Sequence, residues 1–147
     1  MPTPTGQRDD PYGQYNFLVE IDGIVRAGFT ECSGLDAEIQ KIDYREGADP
    51  QQNVRKLRGL VSLTDVTLKR GWTQDKMLYN WYRDIVNGNI DRRTCEIALL
   101  NEARDEVLRW RVSEAWIGTW KGPALNATAS ETALEEVSFC HEKLELL

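Results

Sequence analysis

The residues from Trp72 to Asn87 form the one segment of this chain whose apolar side chains recur with helical spacing. A helix with 3.6 residues per turn brings five of them onto one stripe: Met77, Leu78, Trp81, Tyr82 and Ile85. The Thr73 hydroxyl suits an N-cap, and Asn87-Gly88 suits the end of a helix. A helix this short is marginal in water by itself. We therefore expect its apolar face to pack as a lid on surrounding strands.

The residues before the helix alternate between apolar and polar, as strands with one buried face do. A first strand covers Tyr15–Ile21, and Asp22-Gly23 after it predicts a two-residue hairpin turn, because type I′ turns need positive φ. The apolar residues of the return strand are Val25, Ala27 and Phe29.

A third strand is predicted over Leu35–Arg45, where the apolar parity shifts between Ile39 and Ile42 as a β-bulge requires. Two polar stretches, 47–59 and 118–130, are predicted to be loops. The remaining predicted strands are Leu60–Arg70, Arg93–Leu100, Val107–Ile117 and Thr132–Leu146.

About seven strands, one helix and hairpin connections predict a mainly β fold. We expect two antiparallel sheets that form a sandwich or small barrel with one flanking α-helix. A chain of 147 residues suits one domain. Residues 12–147 are predicted to form it, and the polar, proline-rich residues 1–11 to form a flexible arm.

The chain is acidic, with a net charge of −6, and this balance disfavours a broad nucleic-acid-binding face. No apolar run reaches the ~20 residues of a membrane span, and the N-terminus lacks the apolar core of a secretory signal. We therefore expect a protein made in the cytoplasm, with no stable membrane span. Three cysteines without CxxC spacing predict free thiols rather than a zinc site.

Three groups of residues are candidates for sites of chemistry. Cys140-His141-Glu142 resembles a ligand cluster, but neighbours on a strand point to opposite faces and do not converge on one ion. Adjacent acids such as Glu135-Glu136 are typical of a solvated strand face. We expect no catalytic residue, metal or cofactor. Trp110, Trp116 and Trp120 suggest a stacking platform, with the first two on one strand face. The alternative function is therefore a monomeric acidic β-sandwich that binds a glycan or peptide.

Six short motifs occur in a fixed order along the chain and carry a resemblance to a known family. They are FLVEIDG from Phe17, AGFTECSGL from Ala27, YREG from Tyr44, VRKLRGL from Val54, VTLKRG from Val66 and EAWIGTWKGPALNA from Glu114. In this order and spacing the chain closely resembles the tail-tube proteins of contractile phages and of phage-derived contractile injection systems. In fold it is similar to the haemolysin-coregulated tube protein of type VI secretion.

The resemblance implies a hexameric ring in which the sheets of each subunit join one continuous β-barrel around a channel. Rings stack into a rigid inner tube, which a surrounding sheath drives through a target envelope. The implied partners are other copies of the chain, a sheath protein, a baseplate hub or tube initiator, a tube terminator, and cargo or DNA in the channel. It implies no enzymatic activity and no cofactor. A phage virion and an injection particle stay open as alternatives.

By resemblance, the polar stretch from Gly47 to Gly59 is the extension that contacts a neighbouring subunit and the adjacent ring. Its candidate contact residues are Gly47, Asp49, Asn53, Val54, Arg55, Lys56, Leu57 and Arg58. Many relatives have proline where Arg58 stands. We expect this loop to be mobile in the free subunit and to order when it docks, because ordering a backbone costs about 1–2 kcal/mol per residue. Candidate channel-facing residues are Glu38, Gln40 and Asp43.

Overall fold

The structure is a computed structural model that describes residues 10–26, 28–48, 50, 53–89, 91–128 and 130–147. The predicted flexible arm lies almost entirely outside these residues. Ala27 of the predicted return strand and Asp49 of the predicted extension also lie outside them. Within the described part, no helix is long and apolar enough to cross a membrane.

Ten strands and one helix make up the described chain, in place of the seven strands predicted. In chain order they are β1 Phe17–Ile21, β2 Ile24–Arg26, β3 Phe29–Ser33, β4 Ala37–Tyr44, β5 Arg55–Leu63, β6 Val66–Gly71, α1 Met77–Val86, β7 Arg93–Leu100, β8 Glu106–Lys121, β9 Leu134–Cys140 and β10 Lys143–Leu146. All paired strands are antiparallel. The mainly β fold with one flanking helix is therefore confirmed.

Most of the additional strands arise because long predicted strands are interrupted. Gly28, with φ of 92°, lies between β2 and β3 inside the predicted return strand, and Thr64-Asp65 separates β5 from β6. The last predicted strand divides at His141-Glu142, after which β10 pairs with β8 instead of continuing β9. Alternation along a sequence does not reveal such breaks, because the residues on either side keep strand-like patterns while they pair with different partners.

The sixteen-residue strand β8 belongs to both layers of the body. Its first half pairs with β7 and β10, and its second half pairs with β9, followed by β6 and β3. Glu114, with φ of 55°, lies at the bulge where the strand changes direction. The strand continues to Lys121, so the loop predicted from residue 118 was placed too early. On the far side of the first layer, β1 pairs with β7, and the Asp22-Gly23 turn joins β1 to β2 as predicted.

The core lies between the two layers and under the helix. Its strand residues come from both halves of the body, and Leu78 and Trp81 of α1 are fully buried with them. The Trp81 ring lies 5.3 Å from the ring of Phe139, and its Nε1–H donates to the carbonyl of Asp91 at 2.8 Å. The other members of the predicted stripe are partly buried against this core: Met77, Tyr82 and Ile85.

The helix begins at Met77, three residues after the start that a Thr73 N-cap predicts, and Lys76 takes the N-cap position instead of Thr73. The residues before it are held in a turn by Arg70, whose guanidinium donates to the Asp75 carboxylate at 3.1 Å and to the Asp75 carbonyl at 2.8 Å. Asp75 in turn accepts the Met77 N–H at 3.0 Å. The end of the helix is as predicted, with Asn87 as C-cap and Gly88 at φ of 94°.

A buried ion pair fixes this corner of the body. Arg70 Nε donates to Glu135 Oε1 at 2.8 Å, and Trp120 Nε1 donates to Glu135 Oε2 at 2.9 Å. Glu135 is fully buried, and Arg70 nearly so. Both carboxylate oxygens are therefore paired, as a buried charge requires.

We expect Glu135→Leu to lower the free energy of unfolding by about 3–5 kcal/mol, because it leaves a buried guanidinium short of a partner. The measurement is urea unfolding of the unassembled protein. Glu136→Gln on the next residue is the matched control, since that carboxylate is partly exposed in its pairs with Lys69 and Lys121. Its expected cost is below about 1 kcal/mol. Equal stability of the Leu variant and the wild type would contradict the role of this pair.

Candidate assembly surface

Strands β4 and β5 form a two-stranded sheet of their own, separate from the eight strands of the body. We call residues 37–63 the ribbon. No residue of β4 is buried, and nearly all of β5 is exposed. Large apolar side chains of the ribbon are nevertheless exposed to solvent: Ile39 and Val61 are each 50% exposed, and Leu60 is 76% exposed. The ribbon therefore has apolar surface but no core of its own to bury it.

The register of the ribbon shifts near its middle. From Ile39 to Lys41, β4 advances by two residues. Their partners on β5, Val61 and Arg58, are three residues apart. The extra residue therefore lies in β5, at Gly59-Leu60, so the predicted bulge occurs at this level but in the opposite strand. A Cβ on Gly59 would lie 2.8 Å from the Gln40 carbonyl oxygen, which shows how closely the strands approach there.

At this bulge the apolar residues move from one face of the ribbon to the other. The two faces can be followed along β4, because β4 itself alternates regularly. One face is apolar next to the body and charged farther out: Ala37–Leu63, Ile39–Val61, Lys41–Arg58, Asp43–Lys56. The other face is polar next to the body and more apolar farther out: Glu38–Ser62, Ile42–Leu57, Tyr44–Arg55. The apolar surface thus crosses from one face of the ribbon to the other at the bulge.

The predicted contact residues are distributed between the end of the ribbon and its second strand. Arg55, Lys56, Leu57 and Arg58 belong to β5 and pair with β4, so this half of the predicted loop is a strand. The connecting residues before it include Gly47, Asn53 and Val54. Sequence reasoning missed the exposed apolar pairs nearer the body. Their signal was the short alternation Val61-Ser62-Leu63 at the start of the predicted strand Leu60–Arg70.

The three candidate channel residues do not share one face. Glu38 and Gln40 lie two positions apart in the regular strand β4 and therefore face the same side. Asp43 lies on the opposite face, where its carboxylate accepts from Lys56 Nζ at 2.5 Å. Both side chains of that pair are more than half exposed, so the bond stabilises the ribbon only slightly.

The ribbon differs in charge from the rest of the chain. Residues 37–63 carry five Lys and Arg against four Asp and Glu, which gives +1. The remaining residues carry 13 against 20, which gives −7. The ribbon and the remainder of the chain are therefore opposite in net charge.

The candidate residues for chemistry make contacts that indicate structural roles. His141 Nε2 lies 2.9 Å from the Thr64 carbonyl oxygen, and Cys140 Sγ lies 4.0 Å from Asp65 Oδ2. In the described part of the chain, no three His, Cys, Asp or Glu residues are placed to hold a metal ion. Burial raises the pKa of the Cys95 thiol, and likewise that of Cys32, to about 12. These thiols stay protonated at neutral pH and are poor nucleophiles.

The tryptophans of β8 do not form one platform. The bulge at Glu114 reverses the strand parity, so Trp110 and Trp116 lie on opposite faces, contrary to the prediction. Trp110 packs against the core and lines an open groove of about 650 Å³ beside β1 and β3. Trp120 stacks on Tyr82 with ring centroids 6.1 Å apart. Each ring thus serves a different part of the body.

Charged side chains bind β1, β7 and β8 together on the outer face of the first layer. Arg109 Nη1 donates to Glu20 and to Glu96, each at 2.9 Å, and Arg109 also pairs with Glu106. The Arg109 guanidinium holds the pKa of the Glu20 carboxyl below its usual range, and it does the same for Glu106. Acidic charge on this face is therefore largely compensated within the subunit.

The chain, with its two β layers and projecting ribbon, also matches the sequence model of a known family. The model of the T4-like virus tail tube protein gp19 matches residues 13–145, which is nearly the whole chain. The chain belongs to this tail tube family. The resemblance drawn from its motifs is confirmed, and the tail tube protein is a structural subunit of a tube.

Solved structures agree with this assignment. A chain of the PVC sheath–tube complex of an extracellular contractile injection system, in its extended state, is 26% identical. It superposes with a TM-score of 0.85 over 95% of this chain and 93% of that one. A chain from the tube-terminating cap of the anti-feeding prophage is also 26% identical, with a TM-score of 0.86 over 96% and 93%.

A more distant structure, Hcp1 from Flavobacterium johnsoniae, is 9% identical and has a TM-score of 0.54 over 88% of this chain and 93% of that one. At this identity the likeness concerns the fold alone. No curated protein sequence matches the chain significantly.

We expect Arg109→Gln to lower the urea midpoint at pH 7 by about 0.3 M, as for a pair near the surface. The folded-state pKa values of Glu20 and Glu106 lie below their unfolded values. Their contribution is therefore complete above about pH 4.3 and is lost as the pH falls through the folded values. The variant lacks this contribution, so its midpoint should fall less than that of the wild type between pH 5 and pH 3.

Arg83→Gln is the control for this series, because Arg83 lies on the exposed side of α1 with only a 3.9 Å approach to Asp84. The urea midpoint of this variant should change with pH as that of the wild type does. Parallel profiles for Arg109→Gln and the wild type would exclude the proposed coupling between these carboxyls and Arg109.

Proposed function

We propose that the tail tube protein assembles through its ribbon into hexameric rings, which stack as the inner tube of a contractile tail or injection particle. The observation that supports this most strongly is the ribbon itself, whose half-exposed apolar side chains lie on both faces. A two-stranded hairpin is marginally stable in water by itself. Burial of its apolar area contributes roughly 25 cal/mol per Å², so contact with other subunits stabilises it.

The exchange of faces at the bulge favours contact with two different neighbours. Next to the body, the Ile39–Val61 pair is covered only by a partner on one side. Farther out, the Ile42–Leu57 pair is covered only by a partner on the opposite side. In a stacked tube, a neighbour in the same ring and a neighbour in the adjacent ring occupy these two positions.

Charge supports the same arrangement. A ribbon of net +1 that docks on a body of net −7 offsets part of the repulsion between subunits that each carry −6. Such pairs steer association and select the partner more than they add affinity. Screening by salt limits this effect to about 8 Å at physiological ionic strength.

The proposed partners follow from the structures that this chain resembles. Those chains occur in a sheath–tube complex, in a tube-terminating cap and in a baseplate. We infer a sheath protein, a tube terminator and a baseplate initiator as partners here, with cargo or DNA in the channel. Glu38 and Gln40 are proposed for the channel wall, and the subunit has no enzymatic role. It is made in the cytoplasm and works within the particle.

Electron microscopy of the purified protein, with its mass from light scattering on the same sample, tests the proposal. Six-fold rings or hollow tubes are expected, alone or after addition of a preformed baseplate. A monomer under both conditions would overturn it. In that case the glycan- or peptide-binding module becomes the better explanation, and ligand-dependent tryptophan fluorescence would support it.

We expect the double variant Ile42→Ser, Leu57→Ser to lose rings and tubes while its body melts within a few degrees of the wild type. The two side chains form one exposed cross-strand pair on the ribbon and make no contribution to the core. The measurement combines negative-stain microscopy with a thermal melt followed by circular dichroism.

The matched control is Val86→Ser at the end of α1, which also replaces an exposed apolar residue by serine. It should assemble as the wild type does. Tubes of normal length from the ribbon variant would contradict the proposal that the ribbon carries the contact.

A further inference from the structure

The ribbon leaves the body at the point where β9 stops. β9 pairs with β6 from Leu134, opposite Gly71, to Phe139, opposite Val66. The chain then turns, since the Glu142 N–H donates to the Ser113 carbonyl at 3.1 Å and β10 continues along β8. Beyond Val66, no third strand accompanies the ribbon within the described residues.

The next residues nevertheless keep the register of the ladder. Continued by two steps, the β6–β9 pairing sets Cys140 opposite Asp65 and His141 opposite Thr64. The side chains make these two contacts: Cys140 Sγ lies 4.0 Å from Asp65 Oδ2, and His141 Nε2 lies 2.9 Å from the Thr64 carbonyl oxygen. The imidazole thus contacts a backbone carbonyl at the position where the next pairs of the ladder would lie.

This contact fixes the tautomer of the ring. Because the Thr64 carbonyl is an acceptor only, Nε2–H is the donor, and in the neutral imidazole the proton is therefore on Nε2 rather than on Nδ1. Nδ1 is buried and has no hydrogen-bond partner among the described residues. The ring therefore has a single polar contact with its surroundings, and that contact is with the first residue beyond the ribbon.

Other contacts also hold the chain here. Leu35, the residue after Gly34, is partly buried against the core at this junction. Across it, the Thr64 N–H donates to the Asp36 carbonyl at a long 3.4 Å. On the other strand the chain passes through Gly34, whose φ of 89° suits only glycine, and a Cβ there would lie 2.0 Å from the Asp65 carbonyl oxygen. A glycine, one apolar contact and one long hydrogen bond restrain the direction of the ribbon less than a continuous third strand does.

We propose that His141 is a positioning residue that fixes the direction of the ribbon relative to the body, so that it is preorganised for docking on its neighbours. The inference rests on the proposed function of the ribbon. Its physical basis is that a segment held in its bound direction loses less conformational freedom on association. His141 itself touches no partner subunit in this scheme.

The test compares His141→Leu, which removes the donor, with His141→Gln, whose side-chain amide places an N–H at a similar distance from the backbone. Hydrogen exchange is measured on unassembled protein, followed by the critical concentration for assembly. In the Leu variant we expect ribbon amides to exchange about two- to tenfold faster, the factor that corresponds to one hydrogen bond. The critical concentration should rise by a similar factor, and Gln should restore both.

Unchanged exchange in the Leu variant, or equal defects in the Leu and Gln variants, would overturn the proposal. Faster ribbon exchange in a protein that never assembles would support the positioning role and count against the proposed function. If the Leu variant fails to fold, the wild type still gives an answer. A long-range proton–nitrogen NMR correlation should show the Nε2–H tautomer, and an Nδ1–H tautomer would overturn the proposal.

Discussion

The body depends on one strand that serves two layers. β8 pairs with β7 and β10 before its bulge at Glu114 and with β9 after it. Because backbone groups in a core must be paired, each layer obtains its register from this strand. The helix then closes the core, and Arg70, which pairs with the buried Glu135, also contacts Asp75 just before the helix begins. The ribbon has none of these supports, and it is also the part of the chain with the clearest capacity for contact.

The parts predicted well from the sequence were those whose burial lies within one subunit. The helical stripe that includes Leu78 and Trp81 was predicted to be buried and lies in the core, and Asp22-Gly23 forms the predicted turn. Periodicity reports burial, so it succeeds where the buried face and the strand belong to the same chain. The family itself was reached through motifs rather than through periodicity.

The ribbon was predicted poorly for the same physical reason. Arg55–Gly59 was interpreted as a loop because it offered nothing to the core of its own subunit, although Arg55–Arg58 pairs with β4. The large apolar side chains of the ribbon are exposed in the subunit, so periodicity has no buried intramolecular face to report there. The start of α1 was also misplaced, since the Thr73 signal is local while the Arg70–Asp75 contact that overrides it depends on the folded body.

The exchanged faces of the ribbon have a consequence for symmetry. A ribbon that docks on the body of another copy joins two unlike surfaces, which makes the contact heterologous. Such contacts repeat in one direction, closing into rings or extending as filaments, and they have no two-fold axis. A tube built on them has two chemically different ends: one presents free ribbons, and the other presents bodies without a ribbon to cover them. The proposed assembly therefore predicts that different proteins start growth at one end and cap the other.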